Sequence, residues 1–254
     1  MKNTAFFFLF ILLISGGISL QSSSGCGDIN SDTNINILDV TFLINYLYKG
    51  GEAPQDIPAC DVDLSGAANL LDVTYLIRYL YAGGPGPCPV STVPQYQKYI
   101  FEIEYLNWAW GYRLKGTVID NQGYIYNYNY YHDDTPWDTT GLILTEADLD
   151  AKFAHNQELV STIPMDTLLK YYNMIEAAAQ GQISPPITRC FDFGLFTIMA
   201  YQVDTLTGGY NSVLLFRFGD AAQINFAPQA DVLYKWLFED ILGESADSVE
   251  CGYY

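Results

Sequence analysis

Histidine is nearly absent from this sequence: the chain has only His132 and His155. A three-histidine zinc site is therefore excluded. Basic residues are scarce too, with eleven lysines and arginines against 29 acids and a formal charge of −18. Such an acidic surface repels phosphate backbones, so nucleic acid is not an expected partner, and it favours cations, calcium first. No two cysteines form a C-x-x-C pair, which removes the usual thiolate-metal and redox motifs. G-x-S-x-G, H-E-x-x-H and phosphate-cradling glycine loops are missing as well. No catalytic residue can be named, and the sequence leans away from an enzyme. Long apolar runs are confined to one place, Ala5 to Ile14, preceded by Lys2 and followed by the small residues Ser15 to Ser19. At ten residues this run is shorter than the roughly 20 needed to span a membrane, and its layout is that of a secretory signal peptide. The expected leader is residues 1–22, the expected location is outside the cell, and no membrane span is expected in the mature chain.

What is present is enough for a sizeable core. Of 254 residues, 50% are apolar and 15% aromatic, which excludes a disordered chain. Five cysteines, at 26, 60, 88, 190 and 251, suit disulfides in an exported protein, with one left over. Cys190 is expected to pair with Cys251. Cys26 and Cys88 bracket the first domain and could tie its ends.

An internal repeat dominates the first third. Shifting the chain by 33 residues superimposes Asp28–Pro54 on Asp61–Pro87 with 14 of 27 positions identical, which marks a duplicated structural unit. A twelve-residue calcium loop draws oxygens from positions 1, 3, 5, 7, 9 and 12, position 7 through its backbone carbonyl. In the first copy these positions are Asp28, Asn30, Asp32, Asn34, Asn36 and Asp39. In the second they are Asp61, Asp63, Ser65, Ala67, Asn69 and Asp72. Three carboxylates per loop supply charge for one Ca²⁺ each, two ions in all. After each loop comes one apolar helix face, Val40, Leu43, Ile44 and Leu47, then Val73, Leu76, Ile77 and Leu80. Gly50-Gly51 and Gly83-Gly84 should stop the helices. No helix precedes the first loop, so the unit is loop–helix rather than a full EF-hand.

On these residues the segment from Gly27 to about Pro89 resembles the dockerin family. The shared motif is D-x-N-x-D-x-x-I-N-x-x-D-V-T followed by an apolar helix, complete in the first copy and kept in the second as D-x-D-x-S-x-x-A-N-x-x-D-V-T, with Ser65 replacing the usual acid. The resemblance implies calcium binding, a small all-α pair of loop–helix units over 27–89, and docking onto a cohesin-type partner. It also places partner choice at loop positions 10 and 11, here Ile37, Leu38, Leu70 and Leu71. Dockerins often accompany polysaccharide-degrading enzymes, which makes polysaccharide a second candidate ligand of the whole protein. Thr33 stands at loop position 6, where glycine is usual and Gly66 stands in the second copy.

A breaker-rich stretch, Gly83 to Pro89, separates the repeat from a second domain expected over 93–254. Tyr99–Leu106 alternates like a strand, and Tyr112–Asp120 with Tyr124–Tyr131 reads as a hairpin about Asn121-Gln122-Gly123. Thr145 to Asp148 has capping-box spacing at a helix start. Helices are expected over Met165–Gln180 and Ala230–Leu242, and strands over Phe191–Val203 and Tyr210–Phe218. The second domain is thus expected to be α+β with a mainly antiparallel sheet. Glu102 and Glu104 share one strand face, either as the carboxylate pair of a small hydrolase or as a solvated surface. Tyr124, Tyr126, Tyr128 and Tyr130 share another, either as a sugar-stacking platform or as sheet packing. His132-Asp133-Asp134 reads as a polar loop. A third reading of the repeat is a calcium-stabilised structural spacer.

Overall fold

The computed structural model describes residues 25–138 and 143–245. The expected leader and Cys251 lie outside these residues. In the first third, α1 spans Ile37–Lys49 and α2 spans Leu70–Tyr81, with a short 3₁₀ turn at Pro58–Cys60 before the second loop. Both helices start in the same way. Asn36 and Asn69 cap them in extended conformation, and Asp39 and Asp72 close a capping box back onto the cap amide. Gly50 ends α1 in the left-handed conformation. The apolar faces meet in a small core of Ile29, Val40, Leu43, Cys60, Val62, Val73 and Leu76. Ile77, expected on that face, is instead exposed. A Cys26–Cys88 disulfide ties the two ends of the segment. Cys60 is the free cysteine among the described residues, and burial pushes its thiol up to about 11, which leaves it unreactive.

The remainder forms an eight-stranded antiparallel sheet: β1 (Tyr99–Asn107), β2 (Arg113–Asp120), β3 (Tyr124–Tyr130), β4 (Glu158–Thr162), β5 (Ile187–Thr188), β6 (Leu195–Val203), β7 (Tyr210–Gly219) and β8 (Ala221–Ile224). Their order is β4-β3-β2-β1-β6-β7-β8-β5. One face is covered by α4 (Met165–Tyr172), α5 (Ile175–Ala179) and α6 (Pro228–Lys235), the other by α3 (Glu146–Phe153). This is the expected α+β arrangement, with helices laid on an antiparallel sheet.

Three elements differ from expectation for local reasons. The helix expected over Met165–Gln180 breaks into α4 and α5 at Asn173. That side chain bonds back to Leu169 O and reaches out to the N–H and carbonyl of Val90. Strand β6 starts at Leu195, not Phe191, because Gly194 takes φ +88 and the amides of Phe193 and Gly194 donate to the Asp220 carboxylate. After α6 the chain widens into a π turn, Trp236–Ile241, so that three successive residues, Trp236, Leu237 and Phe238, all face the core. Trp236 stacks on Tyr171 at 3.9 Å. Cys190 is disulfide-bonded.

Candidate functional site

Each acidic loop is curled around its own carboxylates. Asp28 accepts from the amides of Asp32 (3.0 Å) and Thr33 (2.9 Å). Asp39 takes the amides of Ile29 (2.8 Å) and Asn30 (3.1 Å) on one oxygen and that of Asn36 (2.8 Å) on the other. Loop two repeats the pattern. Asp61 accepts from Ser65 (2.9 Å) and Gly66 (2.8 Å), and Asp72 accepts from Val62 (2.8 Å) and Asn69 (2.7 Å). The position-12 aspartate therefore clamps loop start to helix start, while the position-1 aspartate holds the bend. Asn36 and Asn69 both cap their helices and reach back toward the position-7 carbonyls of Asn34 and Ala67. The amide of Asn34 holds the Asp32 carboxyl below its ordinary range, and the Ser65 hydroxyl does the same for Asp63.

These donors suit a hard cation. Carboxylate oxygens of Asp61, Asp63 and Asp72 lie within 4.8 Å of one another. Asp28, Asp39 and Asp72 are buried, and none of the loop acids pairs with a lysine or arginine among the described residues. Buried like charges without a counter-ion are costly, and an all-oxygen set is what Ca²⁺ takes. The bend at position 6 is left-handed in both loops, φ 73° at Thr33 and 98° at Gly66. Glycine adopts this freely; β-branched threonine does not.

The four apolar residues at loop positions 10 and 11 occupy the first turns of α1 and α2 and face outward. Ile37, Leu38, Leu70 and Leu71 are 44%, 56%, 56% and 61% exposed. The C-terminal domain leaves them uncovered and grips the opposite end of α2. Buried Gln229 donates to Tyr79 O (2.7 Å) and Gly84 O (3.0 Å), and the Asn173 carbonyl accepts from Gly86 N (3.1 Å). Gly83, at φ 64°, sits where a Cβ would collide with Val232 and the Pro228 carbonyl.

In the C-terminal domain, Glu102 and Glu104 form neither an open carboxylate pair nor a solvated face. Lys152 on α3 is buried between them, 2.7 Å from Glu102 and 2.6 Å from Glu104. Tyr128 and Tyr201 both donate to Glu102. Gly116 makes room for this: a Cβ there would strike the Tyr128 ring and hydroxyl. Burial alone would lower the Lys152 pKa, but Glu102 and Glu104 outweigh it and raise it. Burial and then Glu102 push Tyr128 and Tyr201 well above the usual tyrosine range. The tyrosine run divides likewise, since Tyr128 and Tyr130 are core residues while Tyr124 is exposed at the strand start. His132 pairs with Asp133 at 3.2 Å in an exposed loop, as expected. His155 is half-buried, stacks on Tyr130 at 4.0 Å and lies 3.1 Å from Asp134. Lys152 is the residue that the sequence reading missed. Its signal is the α3 face Leu149, Lys152 and Phe153, at i, i+3 and i+4, with a lysine standing where an apolar residue belongs.

The two repeats thus form a small helical module of paired loop–helix units, each unit curled on a twelve-residue acidic loop. Residues 26–81 match the family model of the dockerin type I domain. No curated protein and no solved structure matches the chain. Type I dockerins bind calcium, dock onto cohesin domains and usually occur in extracellular proteins. Among the described residues no helix is long and apolar enough to cross a membrane.

Proposed function

We propose that residues 27–89 form a docking module that holds one Ca²⁺ in each loop and carries residues 93–254 as its cargo outside the cell. The ligands are Asp28, Asn30, Asp32, Asn34 O, Asn36 and Asp39 in the first loop, and Asp61, Asp63, Ser65, Ala67 O, Asn69 and Asp72 in the second. Bound calcium neutralises the buried carboxylates, and this chain's own amides orient them. Ile37, Leu38, Leu70 and Leu71 then meet a cohesin-type domain. The observation that carries this reading is the exposure of those four side chains at matching places in both repeats, which a spacer packed on its own C-terminal domain would cover. The hydrolase alternative has weaker support, because the fully buried Glu102 cannot touch a substrate. Binding of the full chain to a panel of purified cohesin domains by surface plasmon resonance tests the proposal. At least one cohesin should bind in calcium, and binding should disappear with EDTA or with the pair Leu38→Asp and Leu71→Asp. Binding by none of them, or binding indifferent to both treatments, sinks it.

The two loops should differ in affinity. Both carry three carboxylates, because Asp32 against Ser65 is balanced by Asp63 against Asn30, so ligand charge is equal and the strain at Thr33 remains. Loop two is expected to bind more tightly. Thr33→Gly should tighten loop one, by up to about tenfold, if the left-handed bend costs about 1–2 kcal/mol. Calorimetry on Asp72→Ala, which keeps loop one, and on Asp39→Ala, which keeps loop two, decides the ranking. Tighter binding by the protein retaining loop one would reverse it.

A further inference from the structure

The turn between β1 and β2 presents two tryptophans to solvent. Trp108 is 60% exposed and Trp110 is 85% exposed. Such display of two tryptophans, two positions apart on one short turn, is the kind of surface that marks a binding site. The turn is also stiff. Asn107 accepts from Ala109 N (2.7 Å) and donates to the Tyr105 hydroxyl (2.9 Å) and to Asp192 O (3.3 Å). Tyr105 in turn donates to Phe193 O (2.9 Å). The Trp108 ring leans on buried Tyr112, with centroids 4.7 Å apart. Gly111, at φ 101°, lies so close to His132 that a Cβ would meet it at 2.9 Å. The Asp192 carbonyl that Asn107 holds comes in from the β6 side, and exposed His132 lies against Gly111 on the β3 side. The result is an exposed strip of two indoles on a braced turn at one end of the sheet, with His132 and its neighbour Asp133 beside it as polar groups.

Area and charge choose among occupants. The two indoles expose on the order of 300–400 Å². A stable protein interface needs roughly 800 Å² from each partner, so the strip is too small for a second copy or a protein partner of ordinary size. A net charge of −18 opposes anionic lipid headgroups and acidic glycans alike. A neutral sugar ring fits both measures. Its C–H face covers an indole, its edge hydroxyls reach the polar rim, and a rigid platform loses little entropy on binding.

We propose that the Trp108–Trp110 turn is a surface binding site for neutral glycan chains, which stack their rings on the two indoles. The site lies in the C-terminal domain and is independent of the docking reading. The test uses the full chain in calcium, with β-1,4-linked glucose, xylose and mannose hexasaccharides as soluble probes and the parent polymers in affinity gels. Tryptophan fluorescence and calorimetry report binding. At least one of these glycans should bind, Trp110→Ala and Trp108→Ala should each weaken it by roughly tenfold or more, and Trp110→Tyr should retain most of it. Circular dichroism of each variant checks that the fold is kept, and loss of cohesin binding alone leaves the glycan result standing. Failure of all the glycans to bind overturns the proposal. So does binding unchanged in both alanine variants, or capture by phosphatidylcholine vesicles or self-association that those variants abolish without glycan binding.

Discussion

Stripping calcium from the full-length chain is expected to melt residues 27–89 while the antiparallel sheet survives. The segment's core holds few buried side chains, Ile29, Val40, Leu43, Cys60, Val62, Val73 and Leu76. A unit this small has a marginal core, which a metal or disulfide commonly supplements. Without a cation, the buried Asp39 and Asp72 share their loops with Asp28, Asp32, Asp61 and Asp63, and backbone amides alone are left to offset their mutual repulsion. Calorimetry should count two ions per chain. EDTA should remove the α1 and α2 contribution to the far-ultraviolet circular dichroism. The Cys26–Cys88 bridge closes a separation of 62 residues and should contribute about 4 kcal/mol by restraining the unfolded segment. Reduction should therefore deepen the loss. A spectrum indifferent to EDTA, with no calcium uptake, would refute the calcium reading.

Lys152→Met should be the most damaging single change in the C-terminal domain. It leaves Glu102 and Glu104 facing each other in the interior without their shared cation, a defect of about 3–5 kcal/mol. In a domain of this size that corresponds to a fall in Tm of roughly 10 °C or more. The pH dependence has a definite sign. Burial first, and Glu102 after it, raises the Glu104 pKa despite Lys152. Stability linked to Glu104 is therefore present at low pH and is lost as pH rises through that raised value. With the lysine gone, the deficit relative to the parent should shrink as pH falls, because protonation of Glu104 removes the uncompensated charge. At the alkaline end Lys152, Tyr128 and Tyr201 all have raised values. The unfolded chain then loses protons near pH 10 while the folded chain keeps them, so stability should decline above about pH 10. Denaturant melts across pH measure both effects. A variant within about 1 kcal/mol of the parent at neutral pH would mean that Lys152 carries no such burden.

The parts of this protein written in local chemistry were legible in its sequence. The repeat declares its loops through oxygen-bearing residues at fixed offsets, and Thr145 begins a helix through the capping box its spacing announces. The β2–β3 hairpin follows from Asn121-Gln122-Gly123 between alternating strands. What stayed hidden depends on partners far along the chain. Asn173 breaks a plausible helix because Val90, 83 residues away, uses its side chain. Lys152 is buried because Glu102 and Glu104 lie under it across the sheet. Edge strand β4 is exposed along its whole length, so no alternation marks it.

The seam between α2 and the C-terminal domain has a mechanical meaning. Gln229 bonds to backbone carbonyls on both sides of the α2 stop, Gly83 leaves no space for a side chain, and Asn173 pins the strand of chain that leaves the module. Such a joint resists rotation where a glycine–serine tether would swivel. A partner that seizes the first turns of α1 and α2 thereby also sets the bearing of the sheet and of the tryptophan turn at its end. The seam works as a bracket, and on a scaffold that held those turns it would fix the protein's heading.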